Sequence, residues 1–172
     1  MYRPQIKVLD CTIRDGGLIN NHDFNDVFVH NVYKAISQAG VDYMEMGYKN
    51  SKELFSADEY GAWKFCDDDV ISRIIEGVEP KAKVSVMVDV GRVNPDDVKP
   101  KKESPVDMIR VACYVKEVDK AIFLINNFAD KGYETTCNIM AISRDQGPEL
   151  TEAFHQLGEE SRAGVVFMFF SF

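Results

Sequence analysis

Residues 8–17 read Val8-Leu9-Asp10-Cys11-Thr12-Ile13-Arg14-Asp15-Gly16-Gly17. An apolar start runs into an adjacent cation and carboxylate and then into two glycines, the pattern of a strand that ends in a turn. In parallel α/β folds the carboxyl end of a strand is where loops bring side chains from several strands into one crevice. Arg14 and Asp15 therefore stand where such folds do chemistry.

Outward from this stretch, apolar and β-branched runs recur at 6–11, 41–47, 84–90, 106–115, 133–142 and 165–170. Several are nearly continuous instead of alternating, as in parallel strands covered on both faces. Helical patterns lie between most of them. Asn25 or Asp26 can cap a stripe of Val29, Val32, Tyr33 and Ile36 that Gly40 closes. Asp68 or Asp69 can cap a second stripe of Ile71, Ile74 and Ile75, and Asn94-Pro95 marks a short helix start. Residues 117–131 carry a third stripe closed by Gly132, and Pro148 opens a fourth with Leu150, Phe154 and Leu157. Successive strands start about 25 to 40 residues apart, the spacing of βαβ units. The segment 54–66, rich in aromatics, reads either as an insertion or lid or as a packed loop.

The run Asp10, Thr12, Ile13, Arg14, Asp15, Gly16 closely resembles the D-x-T-[LI]-R-D-G signature of the DRE-TIM metallolyases, also called the HMGL-like family. Its members include HMG-CoA lyase, 4-hydroxy-2-oxovalerate aldolase and isopropylmalate synthase. The resemblance implies an α/β fold of the (β/α)8 TIM-barrel type. A full barrel takes about 250 residues, whereas this chain has 172. The expectation is an incomplete barrel of about six strands: one aldolase-type domain over 1–172, truncated before the last βα units. A flavodoxin-like doubly wound sheet suits the length, but Gly16-Gly17-Leu18-Ile19 is a poor phosphate loop.

The resemblance also implies a reaction: making or breaking a carbon–carbon bond of a 2-oxo acid through a metal-stabilised enolate. Asp15 is then the ligand of a divalent metal, Mg²⁺ or Mn²⁺, and Arg14 steadies the enolate or carbonyl oxygen. The chemistry agrees, since a hard cation and a guanidinium can hold the negative charge that builds on that oxygen. Glu45, in Tyr43-Met44-Glu45-Met46-Gly47, matches a family Glu. It either orients Arg14 as part of the catalytic set or forms a buried ion pair with no catalytic part. Arg110, embedded in Met108-Ile109-Arg110-Val111-Ala112, and Asn138 are expected to bind substrate, Arg110 through a carboxylate. A structural partnership of Arg110 with Glu45 or Asp89 is the other reading.

The three histidines, His22, His30 and His155, do not form the His-x-His metal pair that the family places late in its barrel. His30 and His155 fall within helical patterns and read as packing or surface residues. His22 is the catalytic candidate, in the loop after the signature, although the family base follows Arg-Asp more closely and Leu18 stands nearer that position. At the other end, Phe170 falls where the family often has the Asp of Asp-Ser-x-Gly.

A net charge of −8 and a pI near 4.9 weigh against nucleic acid as a partner. No run is long and apolar enough for a membrane span, and the N-terminus has no signal-peptide core, so a cytoplasmic location is expected. The four cysteines, without a C-x-x-C pair, read as small buried hydrophobes in a reducing compartment. The alternative to an enzyme is a non-catalytic truncated barrel that assembles with itself or with another chain. A homo-oligomer or a missing C-terminal segment would cover the phenylalanine-rich end.

Overall fold

The computed structural model describes residues 6–144 and 147–164. In chain order the elements are β1 (Leu9–Asp10), α1 (Thr12–Gly16), α2 (Asp26–Gln38), β2 (Tyr43–Tyr48), α3 (Asp68–Ile75), β3 (Lys83–Asp89), β4 (Met108–Cys113), α4 (Val118–Asp130), β5 (Glu134–Ile139) and α5 (Pro148–Glu160). The strand order is β1-β2-β3-β4-β5. Sequential order is what a barrel requires; a doubly wound sheet would reverse beside its first strand. The sixth expected strand, 165–170, and Phe170 with it, lie outside the described residues.

By its contacts the chain divides into two compact units. The first runs through Val86 and takes in Pro105–Asp107; the second holds Met87–Ser104 and continues from Met108.

In the first unit, β1 and β2 are parallel, with Leu9 opposite Tyr43 and Asp10 opposite Met44. Asp42 fixes the register: its carboxylate accepts from the Val8 N–H at 2.9 Å and from Lys7 Nζ at 3.0 Å. Those bonds, the Val8 N–H first, hold its pKa below the ordinary carboxylate value. Helix α2 begins where the cap residue predicts, the Asn25 Oδ1 accepting from the Phe28 N–H at 2.8 Å. It buries Val29, Tyr33 and Ser37, spaced by four residues along one face. The Tyr33 hydroxyl donates to the Ala82 carbonyl at 2.7 Å and the Ser37 Oγ accepts from the Ala82 N–H at 3.0 Å, which anchors α2 at the entry to β3.

In the second unit, β4 and β5 pair in parallel from Met108–Glu134 to Cys113–Ile139. Helix α4 packs with Val118, Ala121, Ile122, Leu124, Ile125 and Phe128. Cys66, Cys113 and Cys137 are buried free thiols and Cys11 is half-buried. The Cys113 and Cys137 sulfurs lie 3.9 Å apart on neighbouring strands.

One expectation is corrected, and one left open is resolved. The first strand was expected over 6–11 but spans only Leu9–Asp10, and the signature continues as a helix, not as an open turn. Asp10 supplies the reason, since its carboxylate accepts from the Thr12 N–H at 3.0 Å and the Thr12 hydroxyl at 2.9 Å, bending the chain out of the strand. The segment 54–66 resolves in favour of packing at its second half: Trp63, Phe65 and Cys66 are buried, while Leu54 is exposed.

Candidate active site

The first unit gathers its polar groups at the carboxyl ends of β1 and β2. Short helix α1 carries Arg14 on its buried side and Asp15 on its exposed side. Glu45, in the middle of β2, is fully buried. Arg14 Nε donates to Glu45 Oε1 at 2.7 Å, and Arg14 Nη1 meets Asp15 Oδ1 at 2.5 Å. One guanidinium is thus held by two carboxylates from different elements. Burial works against its charge, but Glu45, Tyr48 and Asp15 outweigh that and raise its pKa above the ordinary value. Its remaining nitrogen, Nη2, is buried and has no hydrogen-bond partner.

His22 stands beside this group. A tight backbone turn, His22 N–H to the Gly17 carbonyl at 2.8 Å, folds the loop back onto α1. The ring is edge-on to Tyr48, with centroids 5.3 Å apart. Its Nδ1 lies so close to Gly17 that a Cβ there would sit 2.1 Å away, so the glycine that follows the signature is needed for this contact. His22 is 2 % exposed and Nδ1 has no partner. Burial first, then the charges of Lys64 and Arg14, push the imidazole pKa down to about 4, which leaves the ring neutral at pH 7. His30 contacts the Ile74 carbonyl at 2.8 Å, and His155 is exposed beside Glu159.

The segment after β2 adds two groups that sequence reasoning missed. Lys64 is only 7 % exposed, and its Nζ lies 4.5 Å from the Phe55 ring centroid and 5.0 Å from those of Tyr48 and Tyr60. Asn50 is 5 % exposed, and neither atom of its amide has a partner. Close approach makes this possible: a Cβ on Gly47 would meet the Trp63 carbonyl at 2.0 Å. The available signal was a lysine in an aromatic-rich stretch directly after a strand end.

In the second unit, Arg110 is 1 % exposed on β4. It is registered opposite Thr136, and Asn138 follows two residues along β5, so all three share one face of the strand pair. Thr136 Oγ1 and Asn138 Oδ1 are buried without partners. Thr136 was also missed; a threonine inside a strand gives no sign that its hydroxyl is left over.

As a metal ligand set these residues are partial. Asp15, with half its side chain exposed, can offer a carboxylate oxygen. Among the described residues no three His, Cys, Asp or Glu side chains come together as a metal centre.

No family model matches the chain. It is 27% identical over 165 residues to a 4-hydroxy-2-oxovalerate aldolase of Pelotomaculum thermopropionicum, covering 96% of this chain and 48% of that protein. It is 24% identical over 147 residues to 4-hydroxy-2-oxovalerate aldolase 6 of Rhodococcus jostii RHA1, covering 86% and 41%. The chain thus spans less than half the length of these curated relatives, which agree with the resemblance read from residues 10–16. Among solved structures, the N-terminal domain of "a putative aldolase" from Bacteroides vulgatus superposes with a TM-score of 0.70 at 23% identity, covering 94% of this chain and 63% of that one. The carboxyl transferase domain of Rhizobium etli pyruvate carboxylase gives 0.67 at 12% identity, covering 96% and 31%. The fold is therefore α/β of the TIM-barrel type, incomplete.

Proposed function

We propose that this chain carries the first part of the active site of an aldolase or lyase acting on a 2-oxo acid. The observation that carries the reading is the Arg14 guanidinium: clamped by Glu45 and Asp15, desolvated, and with Nη2 left over. A fixed donor with an open position is what a developing enolate oxygen needs, because the protein need not reorganise as the charge appears. In the retro-aldol direction a base removes the proton of the 4-hydroxyl and the C3–C4 bond breaks. The aldehyde then leaves and the electron pair moves onto the 2-oxo oxygen, where Arg14 holds it. Protonation at C3 completes the 2-oxo acid product. His22, neutral and beside Arg14, is our candidate for the base.

Asp15 would supply one ligand of a Mg²⁺ or Mn²⁺ ion, whose charge would help to hold the enolate oxygen. Within the second unit, taken by itself, Arg110 and Asn138 are proposed to bind a carboxylate. Their face of β4 and β5, with the spare Asn138 Oδ1 and Thr136 Oγ1, supports that role.

The test is calorimetric titration of the chain with oxalate, a mimic of the pyruvate enolate, with and without Mn²⁺. Oxalate should bind, and Arg14→Lys should weaken it by about tenfold or more, because lysine lacks the guanidinium fork. Asp15→Asn should remove whatever Mn²⁺ adds. Absent binding, or binding indifferent to Arg14→Lys, overturns the proposal.

The non-catalytic reading has one observation in its favour: β1 is first in the strand order, and Ile6 and Val8 beside it are exposed. Light scattering should then show self-association that Val8→Lys abolishes; a monomer at all concentrations removes self-assembly from that reading.

A further inference from the structure

The carbon–carbon chemistry above leaves the polar groups after β2 unused. Asn50 donates its backbone N–H to the Lys64 carbonyl at 3.3 Å, so the two residues adjoin through the main chain. A primary amide offers two donors and two acceptor positions. Burying all of them without partners costs folding free energy, and native proteins rarely do so without a reason outside the fold. A leucine has the same branched skeleton and would carry no such cost.

Lys64 is the second half of the observation. Ring faces of Tyr48, Phe55 and Tyr60 surround its ammonium and compensate part of its lost hydration. Away from bulk water its pull on an anion is stronger than at a surface. Tyr48 ties this cluster to the site already described, because the same ring meets His22 edge-on and interacts electrostatically with Arg14. Both buried cations therefore act on one side chain within the first unit.

We propose that Asn50 and Lys64 form a receptor for a second carboxylate, carried at the far end of the substrate from its 2-oxo acid group. The preferred substrate is then a dicarboxylic 2-oxo acid, not one with an alkyl tail. This inference rests on the aldolase reading above. Lys64 Nζ and Asn50 Nδ2 donate to the carboxylate oxygens.

The experiment compares 2-oxoglutarate with 2-oxovalerate, which share a five-carbon chain and differ in the terminal carboxylate, by calorimetry on the full chain. Oxalate is titrated in parallel. The readout is the ratio of the two affinities within each variant, which a smaller folded fraction leaves unchanged. The native chain should prefer 2-oxoglutarate by about tenfold or more, as expected for hydrogen bonds to a charged group. Lys64→Met and Asn50→Leu should each reduce that ratio, and Asn50→Asp should reverse it by placing like charge beside the tail.

Equal affinity for the two acids, with oxalate still bound, overturns the second subsite and leaves the aldolase reading standing; Asn50 then holds an ordered water only. A preference that survives both Lys64→Met and Asn50→Leu overturns it as well, because the tail is then read elsewhere. A preference that needs both residues while oxalate fails to bind overturns the aldolase reading and leaves a carboxylate site. Failure of all three ligands overturns both.

Discussion

Two cations of the first unit, Arg14 and Lys64, are buried to nearly the same degree by different means. Arg14 is held by carboxylates, Glu45 at 2.7 Å and Asp15 at 2.5 Å. Lys64 is packed among three aromatic rings. A carboxylate fixes both the position and the direction of a guanidinium, and it cancels charge. A ring face stabilises an ammonium while leaving the charge itself in place. The first arrangement suits a donor that must point at one developing oxygen. The second suits attraction of an anion whose orientation other groups set.

The comparison breaks most severely at Glu45. In Glu45→Leu, Arg14 loses the partner inside the sheet and keeps only the half-exposed Asp15. Removing one member of a buried pair costs about 3–5 kcal/mol, because the other charge stays buried. Urea unfolding should show that loss as a lower midpoint, and the double variant Glu45→Leu with Arg14→Met should recover most of it. No recovery would mean that Glu45 is held chiefly by other groups.

Backbone approach is the next lever, and it separates the two halves again. Gly47→Ala sets a Cβ 2.0 Å from the Trp63 carbonyl, where backbone meets backbone and neither side can yield cheaply. The expected loss is about 1–3 kcal/mol, the range of overpacked cores, with the segment around Lys64 displaced. Gly17→Ala meets the His22 ring instead, and a side chain can turn away. It should cost less stability than Gly47→Ala and shift the His22 NMR resonances more. The opposite ranking would mean that the His22 ring cannot move.

The two halves also differed in how much could be read from sequence. Arg14, Asp15 and Glu45 are legible because each is a charge inside or directly after an apolar run, and burying a charge demands a partner. The cap at Asn25 and the alternation of strands and helices follow from local chemistry in the same way. Asn50, Lys64 and Thr136 were not legible. An amide after a strand, a lysine in an aromatic stretch and a threonine within a strand are ordinary in loops and sheets. Only the fold shows that their polar atoms are dry. Asp10 and Thr12 match the signature without a chemical role of their own in the sequence reading, and the fold shows what they do: their side chains bend the chain into α1.

The smallest expected effect tests whether ring-held charge is still felt. Lys64→Met removes the cation–π contacts at a cost of about 0.5–2 kcal/mol, softened because methionine also packs well on rings. Its sharper consequence is at His22, whose pKa of about 4 owes most to burial and then to Lys64 and Arg14. In the unfolded chain a histidine titrates near 6.5. Between these values the unfolded state binds a proton that the folded state refuses, so stability falls as pH drops from about 6.5 towards 4 and is unaffected by His22 above that window. In Lys64→Met the His22 resonances should titrate higher than in the native chain but still below 6.5, since burial remains, and the loss of stability on acidification should end at a correspondingly higher pH. An unchanged His22 titration would mean that the rings and the surrounding polar groups already cancel the Lys64 charge. Lys64 would then lose its claim on a distant carboxylate, and the contrast with Arg14 would reduce to geometry alone.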